Sequence, residues 1–133
     1  MRFLILSFAF LILNSCDSTT EVENTVEERS IERTELSMDS KIFLGNRLFS
    51  EKTCITCHSV DRKKVGPSVE DIMKIYTEQD ADIVSFLRGN SAPIVDTIPE
   101  EVAIMQANID GFLKKITDEE LDAIATYMMH VTK

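Results

Sequence analysis

The chain has 133 residues, a net charge of −9 at neutral pH and a hydrophobic content of 44%. That length fits one small domain, and the acidic balance argues against nucleic acid as a partner and against charge-driven adhesion to anionic lipid. Three cysteines occur, each in surroundings that give it a separate task, so none is left for a disulfide.

At the N-terminus, Met1 and Arg2 form a minimal charged region and Phe3 to Leu13 an apolar one. As a helix that apolar run would rise roughly 17 Å, short of about 30 Å of hydrocarbon, which favours a cleaved signal over a membrane-spanning anchor. Leu13-Asn14-Ser15-Cys16 follows, with small Ser15 before the cysteine, as in a lipoprotein signal. Residues 1–15 are therefore expected to be removed and Cys16 to carry lipid, placing the protein in a bacterial envelope, facing the periplasm. Asn14 is a looser choice than usual, and the alternative is an ordinary signal that leaves a soluble protein.

Residues 16–39 are expected to be an acidic, solvated tether. From Asp17 to Asp39 there are eight acidic residues against Arg29 and Arg33, with no aromatic residue, a composition that cannot bury a core. A flexible chain of this length reaches about 25–30 Å on average. A short amphipathic helix around Val26 to Leu36 is the alternative.

Residues 40–133 read as helices and loops with almost no period-two alternation, which gives an all-α domain. Asp39 or Ser40 caps a first helix to about Phe49, with Ile42, Gly45 and Phe49 at helical spacing. Arg62, Lys63 and Lys64 lead into Gly66-Pro67, a turn signal. Ser68 caps a second helix with Val69, Ile72, Met73 and Tyr76 on one face, and a third covers Asp80 to Arg88, stopped by Gly89. Pro99 opens a short helical turn toward Met105. The last helix is the clearest. Thr117-Asp118-Glu119-Glu120 is a capping box, followed by an apolar stripe of Leu121, Ile124, Ala125 and Met128 with Tyr127 beside it.

Between the first two helices stands Cys54-Ile55-Thr56-Cys57-His58. Cys-x-x-Cys-His is the attachment pattern of a c-type haem: two thiols add across the porphyrin vinyl groups, and the histidine offers a neutral nitrogen to iron. A dithiol redox centre is one competitor, but it wants a βαβ context. A structural zinc site is another, but it needs four ligands, and Cys54, Cys57, His58 and His130 are nearly the whole supply. So few residues give a thin apolar core, and a covalently held haem would fill much of it.

Residues 40–133 resemble a small class I, mono-haem cytochrome c, which implies three to five helices wrapped around one covalently attached haem. Gly45 and Phe49 resemble the glycine and aromatic of that family's first helix, and Tyr127 the aromatic of the last helix that crosses it. Gly66-Pro67 resembles the segment whose proline carbonyl accepts a hydrogen bond from the proximal histidine, so Pro67 would orient His58. The family's second iron ligand is usually a methionine before the last helix. Met105 has that order and a loop setting, although Gln106 stands where many relatives have proline. Met73 and Met128 fall on apolar faces where packing explains them. His130 is the rival ligand. Arg88, Tyr76 and Asn108 are chemically able to meet the haem propionates.

The resemblance implies single-electron transfer, not catalysis, by a monomer. The expected partners are a quinol-oxidising complex on one side and a terminal oxidase or other reductase on the other. Arg62, Lys63 and Lys64 would form a cationic docking patch, or else an ordinary solvated loop. Two rival functions are an electron-entry subunit of a periplasmic oxidoreductase and, with an open sixth iron position, a haem-based sensor or peroxidase.

Overall fold

A computed structural model describes residues 35–133. The expected signal segment, Cys16 and almost all of the expected tether lie outside the described residues.

The described residues form helices α1 (Met38–Glu51), α2 (Cys54–Cys57), α3 (Val69–Glu78), α4 (Ile83–Leu87), α5 (Pro99–Asp110) and α6 (Asp118–Val131), with a one-turn 3-10 helix at Leu113–Lys115. Among them there is no strand, and a lone antiparallel bridge joins His58 to Lys63. The expected all-α class holds, as four longer helices and two short ones. No described helix is long and apolar enough to cross a membrane.

Helix α1 begins earlier than Asp39 or Ser40 would start it. Ser37 is the cap, its hydroxyl accepting the Ser40 amide at 3.3 Å, and Asp39 sits in the first turn, where a negative charge meets the positive end of the helix dipole. The most extensive packing in the domain is between α1 and α6. Gly45 makes it possible: a Cβ there would collide with the Ala123 carbonyl and lie 2.7 Å from the Tyr127 Cβ. One turn on, the rings of Phe49 and Tyr127 meet with centroids 5.6 Å apart and planes inclined at 56°, a favourable tilted aromatic geometry. Lys41 reaches Asp122 at 2.7 Å and Lys52 reaches Glu120 at 3.4 Å along the same seam. The expected crossing of the first and last helices is therefore present.

Helix α3 has its Ser68 cap, accepting the Asp71 amide at 3.0 Å, and buries Val69, Ile72, Met73 and Tyr76 as the sequence pattern required. Met73 and Met128 are core residues. Helix α4 is shorter than Asp80 to Arg88. Asp80 takes a left-handed φ of 49°, so the chain turns there, and Asp82 caps the helix through the Val84 amide at 2.9 Å. Gly89, at φ 76°, ends the segment as expected.

Helix α5 departs most from expectation. In place of a short turn followed by a ligand loop, it runs unbroken from Pro99 through Met105 to Asp110. The local cause is plain. Pro99 occupies the first turn, Glu100 and Glu101 suit the positive end of the dipole, and good helix formers follow. Gln106 keeps the backbone N–H that a proline would lack, and its side chain donates to Asp110 at 3.1 Å. Met105 is thus on a helix, not in a loop.

Helix α6 has the full capping box. The Thr117 amide donates to Glu120 Oε2 at 2.9 Å and the Glu120 amide to Thr117 Oγ1 at 3.2 Å. Arg88 ties α4 to its start: Nε donates to Asp118 at 2.6 Å, Nη2 to the Ile116 carbonyl at 2.8 Å and Nη1 to the Leu113 carbonyl at 3.3 Å.

Candidate functional site

Cys54 and Cys57 occupy a single helical turn, which puts residues three apart on one face. Thr53 precedes them in the left-handed region, at φ 64°. This strained position for a β-branched residue swings the chain out of α1 and into the turn. The turn closes locally, the His58 amide donating to the Cys54 carbonyl at 3.0 Å and the Gly66 amide to the Cys57 carbonyl at 3.0 Å.

The His58 ring is held from two sides. Its Nδ1 lies 2.8 Å from the Pro67 carbonyl oxygen. A carbonyl can only accept, so Nδ1 carries the proton and donates, which leaves the Nε2 lone pair free. Gly66 lies flat against the ring, and a Cβ there would come within 2.5 Å of Cε1 and 3.2 Å of Nε2. The pairing of Pro67 with His58 that the resemblance implies has this geometry. Gly66 has a second role that the turn signal did not disclose, since a turn glycine and a glycine needed for close approach look alike in sequence.

Beside the histidine opens a mainly apolar cleft, part of it open to solvent. Cys57, His58 and Pro67 line it from the attachment segment, Ile72, Tyr76, Ile83 and Phe86 from α3 and α4, and Val102, Met105 and Asn108 from α5. Its lining suits a flat, apolar cofactor. Met105 shares the cleft with His58, whereas His130 is exposed and lines a different groove, beside Met129 and Met73.

The other residues weighed for the cofactor fall differently. Tyr76 and Asn108 line the cleft. Burial, with Asp82 nearby, pushes the Tyr76 hydroxyl up to about 12, so it stays a neutral donor. Arg88 is not available to a propionate, because its guanidinium is spent on Leu113, Ile116 and Asp118. The cationic patch is partly neutralised, chiefly at Lys63. Lys63 is ion-paired to Glu101 at 2.8 Å and Asp96 at 3.5 Å, Arg62 lies 3.7 Å from Asp61, and Lys64 donates to the Ile55 carbonyl at 3.0 Å. Nothing local in the sequence pairs Lys63 with residues so far along the chain.

The competing chemistries fit less well. Burial pushes the Cys54 thiol up, opposite to the lowered value that makes a reactive dithiol nucleophilic. Among the described residues no three or more of His, Cys, Asp and Glu are grouped to hold a metal ion, which a zinc site requires. A haem is the group these residues fit: paired thiols in one turn, an oriented imidazole with a free nitrogen, and an apolar cleft beside them.

Comparison with known proteins agrees. Residues 43–132 match the family described as Cytochrome c. A cytochrome c-551 of Pseudomonas denitrificans is 37% identical over 57 residues, covering 38% of this chain and 70% of its own. A cytochrome c-552 of Nitrosomonas europaea is 29% identical over 86 residues, covering 62% and 73%. A cytochrome c-551 of Pseudomonas aeruginosa is 26% identical over 85 residues, covering 62% and 71%. The chain belongs to the cytochrome c family, as a class I mono-haem member whose Cys54 and Cys57 fit the motif for covalent haem c attachment.

Proposed function

We infer that the protein is a one-electron carrier of the bacterial envelope, closed at iron by His58 and Met105 and held to a membrane by lipid on Cys16. The observation that carries this reading is the shared cleft: Met105 lines the same apolar space as the oriented His58. Haem, when bound, supplies a one-electron couple at iron. The residues of the chain do the rest. His58 presents Nε2, because Nδ1 is committed to Pro67. A thioether from Met105 is a soft, neutral donor that favours the ferrous state and raises the potential. With His58 and Met105 both holding the iron, no coordination site would be left for substrate, so the protein would transfer electrons and do no bond chemistry.

The residues before α1 support the rest of the reading. Cys16 ends a lipoprotein-like signal, and the acidic segment after it has the length to let the haem domain reach partners. Cytochromes of this family act with redox partners. For this chain we assign a quinol-oxidising complex as donor and a terminal oxidase or other reductase as acceptor, on the periplasmic side.

A visible spectrum of the reduced protein, matured with covalent haem, tests the closed iron. Sharp, split bands that ignore carbon monoxide are expected, and Met105→Ala should make them sensitive to it. Wild-type bands shifted by carbon monoxide would favour a sensor or peroxidase. Co-purification with one oxidoreductase would favour an electron-entry subunit. Mass spectrometry of the membrane fraction tests the lipid on Cys16: an N-terminus at another residue would remove the anchor.

A further inference from the structure

Lys63 lies between the two sides of the haem cleft. Its backbone is bridged to His58, the residue that faces iron from the attachment segment. Its ammonium group reaches the opposite segment, donating to both carboxylate oxygens of Glu101 at 2.8 and 2.9 Å and lying 3.5 Å from Asp96. Glu101 stands four residues before Met105 on α5, and residues so spaced share one face of a helix. Glu101, Met105 and Asp96 all line the cleft. A chain of contacts therefore runs from His58 through Lys63 to the helix that carries Met105, without passing through the cofactor.

Among protein contacts, little else holds that end of α5. Ile109 is the one buried residue of the helix and lies in its last turn. Its main helical packing neighbour is the 3-10 turn Leu113–Lys115 that follows. The N-terminal half of α5 has no buried residue, and the cap residue Ile98 offers no side-chain hydrogen bond. The ion pair is partly shielded, with Asp96 at 18% and Glu101 at 28% side-chain exposure against 51% for Lys63. Two carboxylates on one ammonium, one of them gripped through both oxygens, also form a network and not an isolated surface pair.

We propose that Lys63, Asp96 and Glu101 form a clasp that holds the Met105 helix across the cleft and so sets how firmly the sixth iron position stays closed. Lys63 is a positioning residue, acting on iron ligation through Glu101 and α5 and not by contact with the haem. The clasp rests on Met105 being the sixth ligand. It also changes what the lysine is for: its charge is spent inside the molecule, on two acids of its own chain, and not on steering an acidic partner.

The experiment uses the matured holoprotein and four variants: Lys63→Gln, Glu101→Gln, the charge exchange Lys63→Glu with Glu101→Lys, and Met105→Ala. Two quantities are read: the rate at which carbon monoxide enters the ferrous protein, limited by release of the sixth ligand, and the far-red sulfur-to-iron absorption of the ferric protein. Each single neutralisation is expected to raise the carbon monoxide rate roughly two- to fivefold, the range a partly shielded ion pair supports, and to weaken the far-red band. The exchange should recover most of both. High salt should speed carbon monoxide entry in the wild type and not in Lys63→Gln, and this decides the matter if a variant fails to take up haem. Wild-type rates in both neutralised variants, or a wild-type rate indifferent to salt, would overturn the clasp. A far-red band that survives Met105→Ala would overturn the ligand assignment itself. A band lost in Met105→Ala but untouched in Lys63→Gln and Glu101→Gln would sink the clasp alone.

Discussion

Gly66 presses its α-carbon face against the imidazole of His58 so closely that a single added methyl would lie 2.5 Å from Cε1. The same ring is anchored through Nδ1 by the Pro67 carbonyl. Ring tilt and ring position are thus fixed by two consecutive residues. Gly66→Ala should push the imidazole off its hydrogen bond to Pro67, while Pro67→Ala keeps the backbone carbonyl and should have a much smaller effect. Where that hydrogen bond favours the ferric over the ferrous state by about 1 kcal/mol, its loss raises the potential by roughly 40 mV for one electron. Potentiometric titration of the two variants checks it, and equal shifts would refute this account.

At the other end of the domain, Gly45→Ala places its methyl group against the Ala123 carbonyl and the Tyr127 Cβ. The obstacle is backbone, which cannot rotate aside, so α1 and α6 must separate. A loss of about 2–3 kcal/mol is expected, at the upper end of overpacking effects. Thermal or denaturant unfolding of the holoprotein measures it; a loss below about 1 kcal/mol would mean that the helices slide without cost.

Acid should weaken the start of α6. The Thr117 amide donates to the Glu120 carboxylate and Lys52 stands nearby, and together these hold the Glu120 carboxyl below its usual value of 4.5. Because the folded value is the depressed one, the stabilisation is complete above about pH 4.5 and disappears as pH falls through the folded value. Glu120→Gln should flatten this part of the stability–pH curve. Thr117→Ala should cost about 1 kcal/mol at neutral pH through loss of the cap. Unfolding curves at several pH values distinguish the two effects, and an unchanged acid limb in Glu120→Gln would remove Glu120 from the account.

Thr53 adopts φ 64° immediately before the cysteine turn. Asparagine enters this region at lower cost than a β-branched residue. Thr53→Asn is therefore expected to stabilise the holoprotein by about 0.5–1 kcal/mol without altering its spectrum. Destabilisation would show that the threonine side chain makes a contribution larger than its strain.

Much of this architecture is written in local patterns. The Ser68 and Thr117 caps, the faces of α3 and α6, and the meeting of Gly45 with Phe49 and Tyr127 all depend on neighbours at helical spacing or on a single small residue. Helix α5 was hard to read for a physical reason. Its inward stripe of Glu101, Val102, Met105 and Asn108 faces a cleft suited to a cofactor and not a wall of protein, so its apolar periodicity is weak. The sign that it continues past Met105 is a single residue, Gln106, where a proline would have stopped it. The attachments of Arg88 and Lys63 were not legible either, because each reaches partners distant in sequence, and no residue type announces a distant partner.

The fit of α1 against α6 also orders events in time. Gly45 and Ala123 are far apart in the chain, so α1 meets its principal packing partner only when residues distant in sequence come together. The cysteine turn does not wait. Its hydrogen bonds from Thr53 to Glu70 join residues close in sequence, including His58 to Pro67, Val69 to Ser59 and Glu70 to Val60. The stretch that presents two thiols and an imidazole is therefore shaped by its own neighbourhood, ahead of the domain that will enclose it. The shape of the attachment segment thus depends on contacts close in sequence, whereas closure of the first helix on the last depends on contacts that span the domain.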